Sequence, residues 1–143
     1  DHRDLHKEYR RQRQRCIRDS REAERRIHPH ARRHKLGVIN IAPHGGSILG
    51  TGAVDGARYS YREASTAVTD AVHDMERRCR EFGFTLPTMA LAFSLACKDV
   101  DVSVVGPVTV EELHADVAAL AVAREFKEFD EIVSPVEFPN DWF

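Results

Sequence analysis

Residues 36–52 read Leu36-Gly37-Val38-Ile39-Asn40-Ile41-Ala42-Pro43-His44-Gly45-Gly46-Ser47-Ile48-Leu49-Gly50-Thr51-Gly52, and their reading decides the fold. Val38, Ile39 and Ile41 are β-branched, which predicts one pleated, mostly buried strand over residues 38–41. Pro43 ends the run, and Gly45, Gly46, Gly50 and Gly52 follow closely. A strand that stops in a Gly-rich loop is where α/β proteins place ligands, because a backbone without Cβ atoms brings its N–H groups close to a phosphate. The same residues also fit a plain strand and a flexible loop, so the loop alone fixes no function.

A second strand is predicted over residues 100–105, Val-Asp-Val-Ser-Val-Val, ending at Gly106-Pro107. Thr109-Val110-Glu111-Glu112 is a T-x-x-E capping box that opens a helix with Leu113, Val117 and Leu120 inward. Free N–H groups and the helix dipole make such a start an anion site. Pro107 removes one donor, and Glu111 and Glu112 add negative charge, so both oppose an anion there.

The chain between the strands reads as two helices. Ser60-Tyr61-Arg62-Glu63 has the S-x-x-E pattern of a capping box. Ala64, Ala67, Val68, Ala71, Val72, Met75, Cys79 and Phe82 then form one apolar face, and Gly83 stops the helix. Met75 and Phe82 read as core. Thr85-Leu86-Pro87 starts the next helix, which is apolar nearly all round over residues 89–97 apart from Ser94, and is therefore buried on most sides. Two strands separated by a helical crossover indicate parallel βα units.

The flanks are less informative. Ser20 caps a helix that Pro29 bends and Gly37 ends. His30 and His34 share a face near His28, but no carboxylate or Cys completes a ligand set, so these read as surface histidines and no metal site is expected. A last short helix covers residues 125–133, and a Pro-punctuated tail ends in Asp141-Trp142-Phe143.

The 143 residues suit one domain, 42% hydrophobic and 31% charged. No apolar run nears the roughly 20 residues that span a bilayer, and the basic N-terminus lacks the apolar segment of a secretory signal. Cys16, Cys79 and Cys97 are odd in number and not spaced for a metal, so they read as free thiols of a reducing, cytoplasmic compartment. Residues 1–35 hold 13 Lys/Arg against 6 Asp/Glu, a net +7, while the remainder holds 8 against 17, a net −9. That asymmetry divides a basic arm or helix (residues 1–20) from the body (residues 21–143). No aromatic interleaving or recognition motif turns the arm into a nucleic-acid reader.

Three stretches in order resemble the C-terminal part of the aldo-keto reductases. They are residues 37–52, Ala90-Leu-Ala-Phe-Ser-Leu-Ala96, and residues 104–120 from Val104-Val-Gly-Pro onward. Ile48-Leu-Gly-Thr-Gly52 and Tyr59-Ser-Tyr-Arg-Glu-Ala64 are similar to the L-galactose and D-threo-aldose (L-fucose) dehydrogenase subgroup. The resemblance implies the C-terminal portion of a (β/α)8 barrel, with its last two parallel strands at residues 38–41 and 102–105, and a site at the C-terminal ends of the strands. It places Ala42, Pro43, His44, Gly45 and Gly46 at the cofactor's pyrophosphate. It places Gly106, Val108, Thr109, Glu112 and Asp116 at the adenosine end. Family members often carry a basic residue at Val108, Gln or Arg at Glu112, and Asn at Asp116. Missing positive charge disfavours a 2′-phosphate, so the expectation is NAD rather than NADP, or no dinucleotide at all in the isolated chain.

The family's catalytic Asp, Tyr, Lys and His lie on earlier strands, and no residue here matches them. A whole barrel needs about 250 residues. Two readings follow. In the first, the chain supplies the cofactor-binding loops of an enzyme that moves a hydride to or from a sugar or aldehyde, completed by an N-terminal barrel half. In the second, it is a non-catalytic module of barrel descent that oligomerises or binds a partner through its open sheet edge.

Overall fold

The computed structural model describes residues 27–41, 43–59 and 62–133. The predicted basic arm, the start of the Ser20 helix and the aromatic tail lie outside the described residues. The chain runs α1 (His28–His34), β1 (Ile39–Ile41), a 3₁₀ turn (Gly45–Ser47), α2 (Ile48–Thr51), β2 (Arg58–Tyr59), β3 (Arg62–Glu63), α3 (Thr66–Glu81), α4 (Leu86–Ala96), β4 (Val102–Val104), α5 (Val110–Glu125) and α6 (Phe129–Val133). It is a mixed α/β arrangement built on a small parallel sheet.

β1 and β4 pair in parallel, with Ile39 opposite Val102, Asn40 opposite Ser103 and Ile41 opposite Val104. Side chains alternate across a strand, so the pair has two faces. Asn40 and Ser103 face α4, where Asn40 Nδ2 donates to Ser94 Oγ at 2.5 Å and the Ser94 and Ser103 hydroxyls meet at 2.9 Å. Ile39, Val102 and Val104 lie on the other face, 59%, 50% and 47% exposed. The expectation of a mostly buried strand is thus corrected: Asn40, on the α4 side, is buried, whereas on the other face Ile41 is half-buried and Ile39 exposed.

At the opposite end from the Gly-rich loop, β1 and β4 are tied by Asp101. Val38 N donates to Asp101 Oδ2 at 2.7 Å, and Asp101 N donates to Val38 O at 2.9 Å. Asp99, just before, lies 3.1 Å from the Arg32 guanidinium and 3.5 Å from Nδ1 of buried His28. His28 is therefore a core residue of α1 rather than a surface histidine. α1 also stops earlier than Gly37: Lys35 takes the left-handed conformation at φ 53°, and its N–H bonds Ala31 O and Arg32 O.

α3 and α4 follow their sequence patterns. Val68, Ala71, Val72, Met75 and Cys79 form the buried face of α3. Its end is a Schellman motif, in which Gly83 N bonds Arg80 O, Phe84 N bonds Cys79 O, and Gly83 sits at φ 78°. Phe82 packs edge-on against Phe126, with ring centroids 5.4 Å apart, and stays partly exposed. In α4, Thr85 Oγ1 accepts from Thr88 N, Pro87 lies in the first turn, and Leu86, Met89, Ala90, Leu91, Ala92 and Ser94 are buried.

Further expectations fail. The S-x-x-E pattern is not a helix cap: Tyr59 pairs with Arg62 and Arg58 with Glu63 in an antiparallel hairpin, and α3 begins after Ser65. Tyr59, buried at 3% exposure, anchors that hairpin in the core, which outweighs the local capping option. In α5, Leu113, Val117 and Leu120 are 48%, 57% and 44% exposed, not inward. The helix instead turns Ala119 to α4, flanked by Val122 and Ala123, because small residues allow the closest approach of two helices. Residues 125–133 split, with α6 confined to Phe129–Val133.

The main core lies beneath the Gly-rich loop. Ile48 and Leu49 of α2 enter it, fully buried, among Tyr59, Val72, Met75, Cys79, Met89 and Ile132.

Candidate functional site

The parallel pairing of Ile41 with Val104 sends the two following loops out of the same end of the sheet. Neighbouring strands lie about 4.8 Å apart, so residues 43–47 and 105–109 start side by side. This is the end at which βα units place ligand-binding loops.

The first loop is tightly built. Pro43 and Gly45 are buried and His44 half-buried. Gly45, Gly46 and Ser47 have successive positive φ values of 63°, 75° and 109°. Glycine takes such angles freely, whereas Ser47 does so at a cost of about 1–3 kcal/mol. Ile48 and Leu49 hold that strain in place by their burial. Ser47 N and Leu49 N both bond His44 O, at 3.2 and 3.1 Å. The His44 ring reaches α4, its Nε2 lying 3.3 Å from Pro87 O. His44 thus pins the loop to the first turn of α4. Ala42 lies outside the described residues.

The second loop is open. Gly106 has nothing within 4 Å of where a Cβ would stand, and Val108 is 87% exposed. The T-x-x-E box forms as read: Glu112 N donates to Thr109 Oγ1 at 3.1 Å. Glu112 reaches one residue further than the usual box, its Oε2 accepting from Val108 N at 2.7 Å. A carboxylate of the chain itself thereby holds one donor of the α5 entrance. Asp116 is half-buried one turn on. The structure thus brings Pro43, His44, Gly45 and Gly46 to the same end of the sheet as Gly106, Val108, Thr109 and Glu112.

The two loops present different chemistry at this end of the sheet. In the first loop Gly45 is buried and Gly46 half-buried, and neither carries a Cβ that would keep a diphosphate from the backbone. The second offers a carboxylate at a helix start, which suits the hydroxyls of a ribose better than a further phosphate. Among the described residues, no group of three or more His, Cys, Asp or Glu is placed to hold a metal ion. No described helix is long and apolar enough to cross a membrane. Cys79 and Cys97 are not joined by a disulfide among the described residues.

Sequence reading missed the chain Asn40–Ser94–Ser103 behind the sheet. A signal was present, since Asn40 and Ser94 each interrupt an otherwise apolar run. Asn40 Oδ1 is buried and has no partner among the described residues. The His44–Pro87 contact had no local signal, because it joins residues 43 positions apart.

No curated protein matches the chain closely enough to be read as a relative. The family model described as the aldo/keto reductase family matches residues 12–135, which takes in every described element and both loops. With its two parallel strands and the loops at their shared end, the chain belongs to the aldo/keto reductase family, a family of oxidoreductases.

Proposed function

We propose that the chain forms the nicotinamide-dinucleotide end of an aldo/keto reductase barrel, with NAD preferred to NADP and a sugar or aldehyde as the substrate of the completed enzyme. The observation that carries this reading is the juxtaposition of the Gly45–Gly46 loop with the Thr109–Glu112 helix start at one end of the β1–β4 pair. Backbone donors of the first loop would hold the diphosphate. The Glu112 carboxylate would accept from ribose hydroxyls and repel a 2′-phosphate. When bound, the cofactor supplies or accepts the hydride. The chain's own residues orient it; the acid–base group belongs to the earlier barrel strands. The L-galactose and L-fucose dehydrogenase resemblance sets the substrate class, and three cysteines without metal-type spacing fit a reducing, cytoplasmic setting.

The experiment is titration of the full chain with NADH and with NADPH, followed by nicotinamide fluorescence. Saturable binding, tighter for NADH, supports the reading. Glu112→Gln should narrow the difference by weakening repulsion of the 2′-phosphate. Absence of binding to a folded chain would overturn it.

The second reading, an assembling module, is favoured by one observation. The sheet face of Ile39, Val102 and Val104 and the α5 stripe of Leu113, Val117 and Leu120 are apolar and open. Such faces are normally covered. A folded monomer that binds no nucleotide would count against both readings; a homo-oligomer that binds none would favour the module.

A further inference from the structure

α1 carries a pair of side chains that the dinucleotide reading does not use. His30 and His34 are exposed. Their ring centroids lie 4.4 Å apart with planes inclined at 43°. Residues four apart on a helix stand over one another on one face. Two imidazoles this close can turn nitrogen lone pairs toward one ion by side-chain rotation, as paired histidines at this spacing do in helical zinc sites.

The backbone beneath them is anchored. Pro29 occupies the first turn, and the Lys35 cap closes the last one through Ala31 O and Arg32 O. The opposite side of α1 buries His28 and Ala31, and Arg32 reaches Asp99 at 3.1 Å. Chelation would therefore need only rotations about side-chain bonds, which keeps its ordering cost small. The surroundings also select the ion. Arg32, Arg33 and Lys35 are the nearest charges in sequence, and they oppose a hard cation held by attraction alone. A late transition metal bound by neutral imidazole is less dependent on net charge. No third His, Cys, Asp or Glu joins the pair among the described residues, so solvent would keep the remaining coordination positions.

We infer that His30 and His34 form a two-nitrogen, solvent-open surface site for a divalent late first-row metal ion, with Cu²⁺ held more tightly than Ni²⁺ or Zn²⁺. The site binds only with both imidazoles unprotonated, since the metal and a proton compete for the same lone pairs. It is independent of the nucleotide loops, and its success or failure leaves that reading untouched.

The test is a Cu²⁺ titration of the full chain at pH 7.5, read by calorimetry and by electron paramagnetic resonance. A His2→Ala/His6→Ala background removes the other pair at this spacing. Hyperfine splitting from two imidazole nitrogens is expected. Either His30→Ala or His34→Ala should weaken binding at least about tenfold, the lower end of losses around metal sites. His114→Ala, at an exposed position on α5, should leave binding unchanged. Both His30 and His34 are exposed, so circular dichroism should show every variant folded. An unchanged affinity or nitrogen count in His30→Ala or His34→Ala would overturn the inference.

Discussion

Gly52→Ala should destabilise the chain by about 1–4 kcal/mol, and the two parts of that cost can be separated. Gly52 caps α2 at φ 81° and ψ −179°. That region is open to glycine and closed to almost every other residue, at about 1–3 kcal/mol. A Cβ there would also stand 2.3 Å from Glu76 Oε1. The carboxylate is the end of a flexible side chain and would swing aside, leaving its contact with His73 Nδ1 at 3.5 Å. Contacts of this exposed kind contribute at most about 1 kcal/mol. Urea unfolding of the wild-type chain, Gly52→Ala, Glu76→Ala and the double variant closes the cycle. Most of the penalty should survive in the Glu76→Ala background, because the backbone conformation is its larger part. A Gly52→Ala chain within about 0.5 kcal/mol of wild type, the range of an ordinary surface change, would refute the reasoning. So would a penalty that Glu76→Ala abolishes completely.

Three further outcomes follow from the described contacts. Thr109→Ala removes the acceptor for Glu112 N and should cost about 0.5–2 kcal/mol in urea unfolding, with no change of slope. Cys79 is fully exposed only on unfolding, and burial pushes its thiol up to about 11; at pH 8 a thiol reagent should modify half-buried Cys97 readily and Cys79 at the rate of unfolding. Hydrogen bonds from Arg78 and then Arg77 hold the Asp74 carboxyl below its usual range. The folded state therefore binds fewer protons there than the unfolded state, so the stabilisation is present above the unfolded pKa of about 3.9 and is lost as pH falls through the depressed folded value. Solvent screening keeps it within about 1 kcal/mol, and the gap between wild type and Asp74→Asn in acid unfolding curves should close in that window.

The legibility of these features follows the range of the forces behind them. α3 and α4 were readable because one apolar period is enough to define each: Val68 to Cys79 on one side of α3, and nearly the whole circumference of α4. α5 was readable as a helix but not in its rotation. It is apolar on two sides, Ala119 with Val122 on one and Leu113 with Val117 on the other, and only the contact with α4 decides which is buried. Ser60 to Glu63 misled because residues that suit a capping box also suit a hairpin, and the burial of Tyr59 chose between them. In the candidate site, the glycines marked the first loop and T-x-x-E marked the second. The direction of the His44 ring depends on Pro87, a tertiary neighbour, and no local pattern encodes it.

Ile48 and Leu49 give the Gly-rich loop a property that its composition disguises. Both side chains are buried to within 1% beneath it, so the loop is preorganised: its freedom is surrendered when the chain folds, not when a ligand arrives. Association at that loop would then be rigid-body recognition, with little induced fit. Shaving Ile48, a residue that need touch no phosphate, would loosen the loop and weaken association as though a direct contact had been removed.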